Sequence, residues 1–128
     1  MFTFLSHRFL WASLCLVLLL MLACSGAGGT ECIGSVVYNG QTYQPESGVS
    51  DADTAQRLAC NQYCLEADPE YEAMHAIWAD SPRGEPGVSK EEAIYKDDDL
   101  MNFVTHTCAN RCVADVAAGR LEGSVTCQ

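Results

Sequence analysis

Positive charge is scarce in this chain: seven Lys and Arg stand against seventeen Asp and Glu, a formal net charge of −10. A surface built for nucleic acid has to neutralise phosphates with Lys and Arg, so nucleic acid is excluded as a partner class. Histidine is almost as rare, at three residues. The sequence contains no G-x-S-x-G or H-E-x-x-H motif, which removes the usual hydrolase and zinc-protease signatures. There is no C-x-x-C pair of the kind that sits at a helix N-terminus in exported oxidoreductases. The acidic run Asp97-Asp98-Asp99 lacks the alternating ligands and central glycine of a calcium loop, and a solvated helix face is the expectation for it. No enzyme activity and no cofactor are expected, and the molecular activity is the least legible property of the sequence.

Cysteine, by contrast, is abundant, at eight residues in 128. The first of them belongs to a leader. Met1 to Arg8 carries one fixed positive charge, and the uncharged apolar run Phe9 to Ala23 follows, leading into Ser25, Gly26, Ala27, Gly28 and Gly29. A charged start, a short apolar stretch and a small-residue exit describe a secretory signal peptide over residues 1–23. Setting the leader aside leaves roughly one hundred residues, enough for one small core, and a more acidic chain, because Arg8 leaves with it.

The end of the leader, Leu20-Met21-Leu22-Ala23-Cys24, resembles the lipobox of bacterial lipoproteins. That resemblance implies acylation of Cys24, a mature N-terminus anchored in a membrane leaflet, and, with Ser25 next in the chain, delivery to the outer membrane of the cell envelope. Ordinary secretion, with cleavage after Ser25 or Ala27, is the alternative. Parity favours the lipoprotein: Cys15 leaves with the leader, and lipid on Cys24 leaves an even set of cysteines that can pair completely in an oxidising compartment.

Behind a small-residue tether at 24–30, residues 31–128 are expected to form a single disulfide-rich α+β domain. Asn39-Gly40 between β-prone flanks predicts a hairpin with strands at about 35–38 and 41–44, since both residues accept the positive φ of a type I′ turn. Val36 with Tyr38, and Val37 with Tyr43, are expected to share faces. Ser50 or Asp51 caps a helix to about Glu66; Asp68-Pro69 restarts it to near Asp80, with Tyr71, Met74 and Trp78 as an apolar stripe expected in the core. After a loop at 81–88, Ser89 and Glu92 form a capping box opening a long helix to about Ala118, with Ile94, Met101, Val104, Cys108, Cys112 and Val116 as its stripe. Gly123 to Cys127 is expected to add an edge strand to the hairpin.

The remaining cysteines are Cys32, Cys60, Cys64, Cys108, Cys112 and Cys127. Two C-x-x-x-C pairs fall within predicted helices, where side chains at i and i+4 share one face. A bridge within one helix fits disulfide geometry poorly, whereas two antiparallel helices facing each other bring Cys60 to Cys112 and Cys64 to Cys108. Cys32 and Cys127 are then left to close the domain end to end. The pattern resembles the twin C-x-x-x-C helical hairpins of small mitochondrial intermembrane-space chaperones, with a much longer separation and an added β-hairpin here.

The expected function is a non-catalytic structural or interaction module of the cell envelope, held to the membrane by its lipid anchor and binding a protein, polysaccharide or basic partner. The alternative, from a different class, is a copper- or zinc-binding or thiol-redox protein using the twin pairs, with Met74, His75, Met101 and His106 as further ligands.

Overall fold

The computed structural model describes residues 29–128. The chain begins with β1 (Cys32–Tyr38), turns at Asn39-Gly40 and returns as β2 (Gln41–Tyr43). Both turn residues have positive φ, 52° and 80°, as a type I′ turn demands. The register pairs Val36 with Tyr43, Val37 with Thr42 and Tyr38 with Gln41. Tyr43 therefore shares a face with Val36, not with Val37 as expected, and it is Val36 and Tyr43 that are buried. The C-terminal strand, β3 (Glu122–Cys127), runs antiparallel along the other side of β1, giving the strand order β2-β1-β3. The fold is α+β, with this three-stranded sheet lying against the helices.

Helix α1 (Ala52–Ala67) opens on Asp51, whose carboxylate accepts from the backbone N–H of Thr54 at 2.7 Å. It crosses β1 at close range because both sides are small. A Cβ on Gly34 would lie 2.3 Å from the carbonyl oxygen of Ala55, so only glycine lets the helix approach. Ala55 and Ala59 are buried there. Asp68 ends α1 and caps α2 (Pro69–Ala79), with Pro69 in the first turn where its missing N–H costs nothing. Tyr71 and Trp78 are buried, as the stripe predicts, and Met74 is half-buried.

The expected long helix from Ser89 does not run through. Ser89 caps only a single turn, α3 (Lys90–Ala93), by accepting from Glu92 N–H. The chain then turns over and restarts at Asp97, whose Oδ1 accepts from the N–H groups of Asp99 and Leu100. An aspartate that can cap a new helix competes with the continuing ladder. Two further acids in the first turn then favour the start through the helix dipole. The restarted helix comprises α4 (Asp98–Asn102), a π-helical stretch (Phe103–Cys108) and α5 (Ala109–Ala117). Its buried face is Leu100, Phe103, Val104, Cys108 and Cys112. Met101 and Val116, placed in the stripe by α-helical spacing, are only half-buried.

The core is centred on the disulfides that join the helices. Cys60 is bonded to Cys112 and Cys64 to Cys108, bridging α1 to the last helix in nested order. These four residues are among the most deeply buried side chains. A third bridge joins Cys32 to Cys127, directly opposite each other on β1 and β3. Tyr63 packs edge-on against Tyr38 and Tyr43, tying α1 to the hairpin, and Tyr71 stacks on Phe103. No described helix is long and apolar enough to cross a membrane.

Candidate functional site

The disulfides decide what the twin cysteine pairs can do. With Cys60, Cys64, Cys108 and Cys112 all bonded to sulfur, none presents a thiolate for a metal or for exchange chemistry in this state. His75 sits on α2 with Nε2 3.0 Å from the carbonyl oxygen of Val88, and its ring stacks on Trp78. His106 is exposed on the π-helical stretch. Among the described residues no group of three or more His, Cys, Asp or Glu side chains is arranged to hold a metal. The expected lipidation site, Cys24, and the leader lie outside the described residues.

The chemistry that does converge lies where α2, the loop that follows it and the start of α4 meet. Two adjoining cavities, of about 220 and 410 Å³, share Arg83, Asp97 and Asp99. One is walled by apolar side chains: Met74, Ile77 and Trp78 from α2 and Leu100 from α4. The other is walled by Tyr95, Lys96 and the Asp97–Asp99 run. Trp78 and Leu100 are buried, but Ile77 and Tyr95 stand 74% and 75% exposed. Both exposed side chains are large enough to contribute substantially to a contact, and they flank the same acidic edge.

Local sequence explains the arrangement. The restart at Asp97 pins one carboxylate to the helix end, Oδ1 on the backbone and Oδ2 3.9 Å from Arg83. Asp98 and Asp99 follow within the first turn and stay exposed. Arg83, three-quarters exposed on the loop, also reaches Asp99 at 3.6 Å. An exposed arginine held at these distances is worth little to stability, so it is easily displaced. Lys96 is engaged elsewhere, 2.7 Å from Glu85 and 3.2 Å from Glu92. Those two carboxylates, Glu85 foremost, raise its pKa above the ordinary lysine value. Trp78, which lines the apolar cavity, keeps its indole N–H buried with no partner among the described residues.

The acidic run is thus part of the site, although it is a helix start and not the side of a continuous helix. Sequence reasoning missed Ile77, Tyr95 and Arg83. Ile77 was out of phase with the buried stripe of α2, which is the signal that marks it as outward-facing. Arg83 is the lone base in a Pro/Gly loop, and nothing in the sequence places it opposite Asp97 and Asp99. Comparison with family models, with curated proteins and with solved structures gave no match for this chain.

Proposed function

We propose that the chain is a non-catalytic interaction module of the bacterial cell envelope. It captures a basic, apolar-bearing segment of a partner protein in the cleft between Trp78 and the Asp97–Asp99 run. The observation that carries this reading is Arg83. The chain's own guanidinium already rests between Asp97 and Asp99, beside an apolar floor, with Ile77 and Tyr95 exposed on either side. A partner arginine or lysine next to an aliphatic or aromatic residue satisfies the same carboxylates and covers the same side chains. The strongly acidic balance of the chain favours encounter with a cationic partner.

The setting belongs to the same proposal. Three disulfides support an oxidising compartment, in keeping with a signal peptide and lipid anchoring through Cys24. Intact mass with and without reduction tests that part, since it reads cleavage, acylation and bridges together.

The binding reading is tested by titrating the protein with a short Arg- and Leu-rich peptide and with its Glu- and Leu-rich counterpart, followed by calorimetry and by tryptophan fluorescence. The cationic peptide is expected to bind, to weaken with added salt and to perturb Trp78 emission. The double substitution D98K/D99K, which leaves the capping Asp97 intact, is expected to abolish it. Equal binding of both peptides, or a D98K/D99K protein that binds as the parent does, would overturn the reading.

A further inference from the structure

The two outer edges of the sheet are built differently. β2 is only three residues long, and Pro45 comes after it with only Gln44 between, so little free backbone is left on that side. The opposite edge, β3, is six residues long, and its sequence Glu122-Gly-Ser-Val-Thr-Cys127 contains no proline, no lysine and one charge, at its end. Those are the devices by which edge strands are normally protected from pairing, and β3 has none of them along its middle.

The hydrogen-bond phase shows what β3 offers. Glu31 and Gln128 exchange both backbone bonds, each 2.9 Å. In an antiparallel ladder such pairs alternate, so Ile33–Thr126, Ser35–Ser124 and Val37–Glu122 are the bonded pairs with β1. The N–H and C=O groups of Gly123, Val125 and Cys127 therefore face away from the sheet, in the order in which a further strand needs them. Beside this edge, a groove of about 620 Å³ is lined by Val113, Val116, Ala117 and Val125, with one acid, Asp53, and one base, Arg57, in its wall. In a chain this acidic, that local balance makes the edge a place where two copies approach without strong repulsion.

We infer that β3 is a self-association edge, on which a second copy of this chain adds its own β3 antiparallel about a two-fold axis at Val125, giving a continuous six-stranded sheet. The register is self-complementary. Val125 meets its counterpart as a bonded pair, Gly123 meets Cys127, Ser124 meets Thr126, and Glu122 meets the neutral Gln128. No like charges fall opposite each other. Ser124 and Thr126 are exposed on the outer face of the sheet, and in this phase they form the closer, non-bonded pairs whose side chains interact most. The cationic-peptide cleft uses different residues, so failure of one proposal leaves the other standing.

Sedimentation equilibrium of the oxidised full chain across a wide concentration range, in mild detergent, tests the edge with two double variants. S124K/T126K sets lysine opposite lysine twice per dimer and is expected to weaken dimerisation about tenfold. S124K/T126E sets lysine opposite glutamate twice and is expected to tighten it. Both positions are exposed in the single chain, where Ser124 makes one hydroxyl contact, 2.9 Å to Ser35 Oγ, that both variants lose alike, and circular dichroism with a free-thiol count checks that each variant folds. Should the lysine pair impair folding, the tightening by S124K/T126E decides alone. A parent chain that stays monomeric throughout, or one dissociation constant shared by parent and variants, would overturn the inference.

Discussion

The guanidinium of Arg111 meets the carboxylate of Asp68 at 2.7 Å, joining the last helix to the junction between the first two. Asp68 is 4% exposed, and its other oxygen caps α2 by accepting from Glu70 and Tyr71 N–H. Its own N–H closes α1 on the carbonyl of Tyr63. Arg111 also holds Glu70 at 2.6 Å, and that bond, with Asp68 behind it, raises the arginine pKa further above its ordinary value. One aspartate thus ends one helix, starts another and receives a third. D68A is expected to cost about 2–4 kcal/mol, from a lost cap and a lost partly buried pair. D68N, which can still cap, is expected to cost about half as much. Chemical denaturation measures both, and a D68A protein within about 0.5 kcal/mol of the parent would remove Asp68 from this role.

Nesting of the helix bridges makes their contributions unequal to a sum. Cys64–Cys108 closes a loop that lies wholly inside the one closed by Cys60–Cys112. With either bridge in place, the other restricts only the two short segments between them. By loop-closure entropy, replacing one pair by alanine is expected to cost about 2–3 kcal/mol, and replacing both about 6–7 kcal/mol. Denaturation of the two single-pair variants and the double-pair variant measures the excess. Strict additivity would argue that the bridges stabilise by something other than closing one long loop.

Tyr71 sets a limit on alkaline stability. Burial pushes its hydroxyl up to about 12, and that hydroxyl donates to the carbonyl of Lys90 at 2.6 Å. The unfolded chain loses this proton near pH 10, whereas the folded chain retains it to about pH 12. Above pH 10 the folded state therefore binds more protons than the unfolded one, and stability falls as pH rises between those values. Tyr63, raised first by burial and then by Asp68, adds a slope of the same sign. Y71F is expected to lower stability by about 1 kcal/mol at neutral pH, through the unmet carbonyl, and to flatten the decline above pH 10. An undiminished alkaline slope in Y71F would place its origin elsewhere.

The elements most legible in the sequence are those written in short-range chemistry. Asn39-Gly40 specifies its turn, Asp51 and Asp68-Pro69 their helix starts, and the paired C-x-x-x-C spacings the facing of α1 and the last helix. What was illegible depends on competition between neighbours or on distant partners. Ser89 and Asp97 both offer caps, and periodicity alone does not reveal that the second interrupts the helix begun by the first. The choice of Val36 over Val37 as the partner of Tyr43 follows from the two-residue turn, which fixes the register once the strand ends are known. The intimate crossing of α1 over Gly34 needs both elements in place before its cause is visible. Of the candidate cleft, the carboxylates stood out as a run, while Arg83, Ile77 and Tyr95 join them only through the path of the loop.

The π-helical stretch from Phe103 to Cys108 carries a surplus that the rest of the helix does not. At α-helical pitch, Leu100 and Cys108 would face directions about 80° apart, yet both are buried on one side. A turn closed by i→i+5 bonds spends one extra residue and takes back roughly 100° of rotation, restoring the alignment. Arg57 helps hold it, donating to the carbonyl of Thr105 at 3.0 Å, while the Thr105 hydroxyl turns back to Met101. The helix therefore contains a spare residue. Deleting exposed His106 is expected to convert the stretch to ordinary α-helix with Leu100, Cys108 and Cys112 still facing inward. A one-residue deletion at Gln62 in α1, between Cys60 and Cys64, is expected to be more damaging because no π-helical turn there absorbs the lost rotation of about 100°, and comparing the two melting temperatures checks it. Such a helix can change length by one without changing which way its cysteines point, so the covalent frame is insulated from a class of mutation that ordinarily scrambles a core.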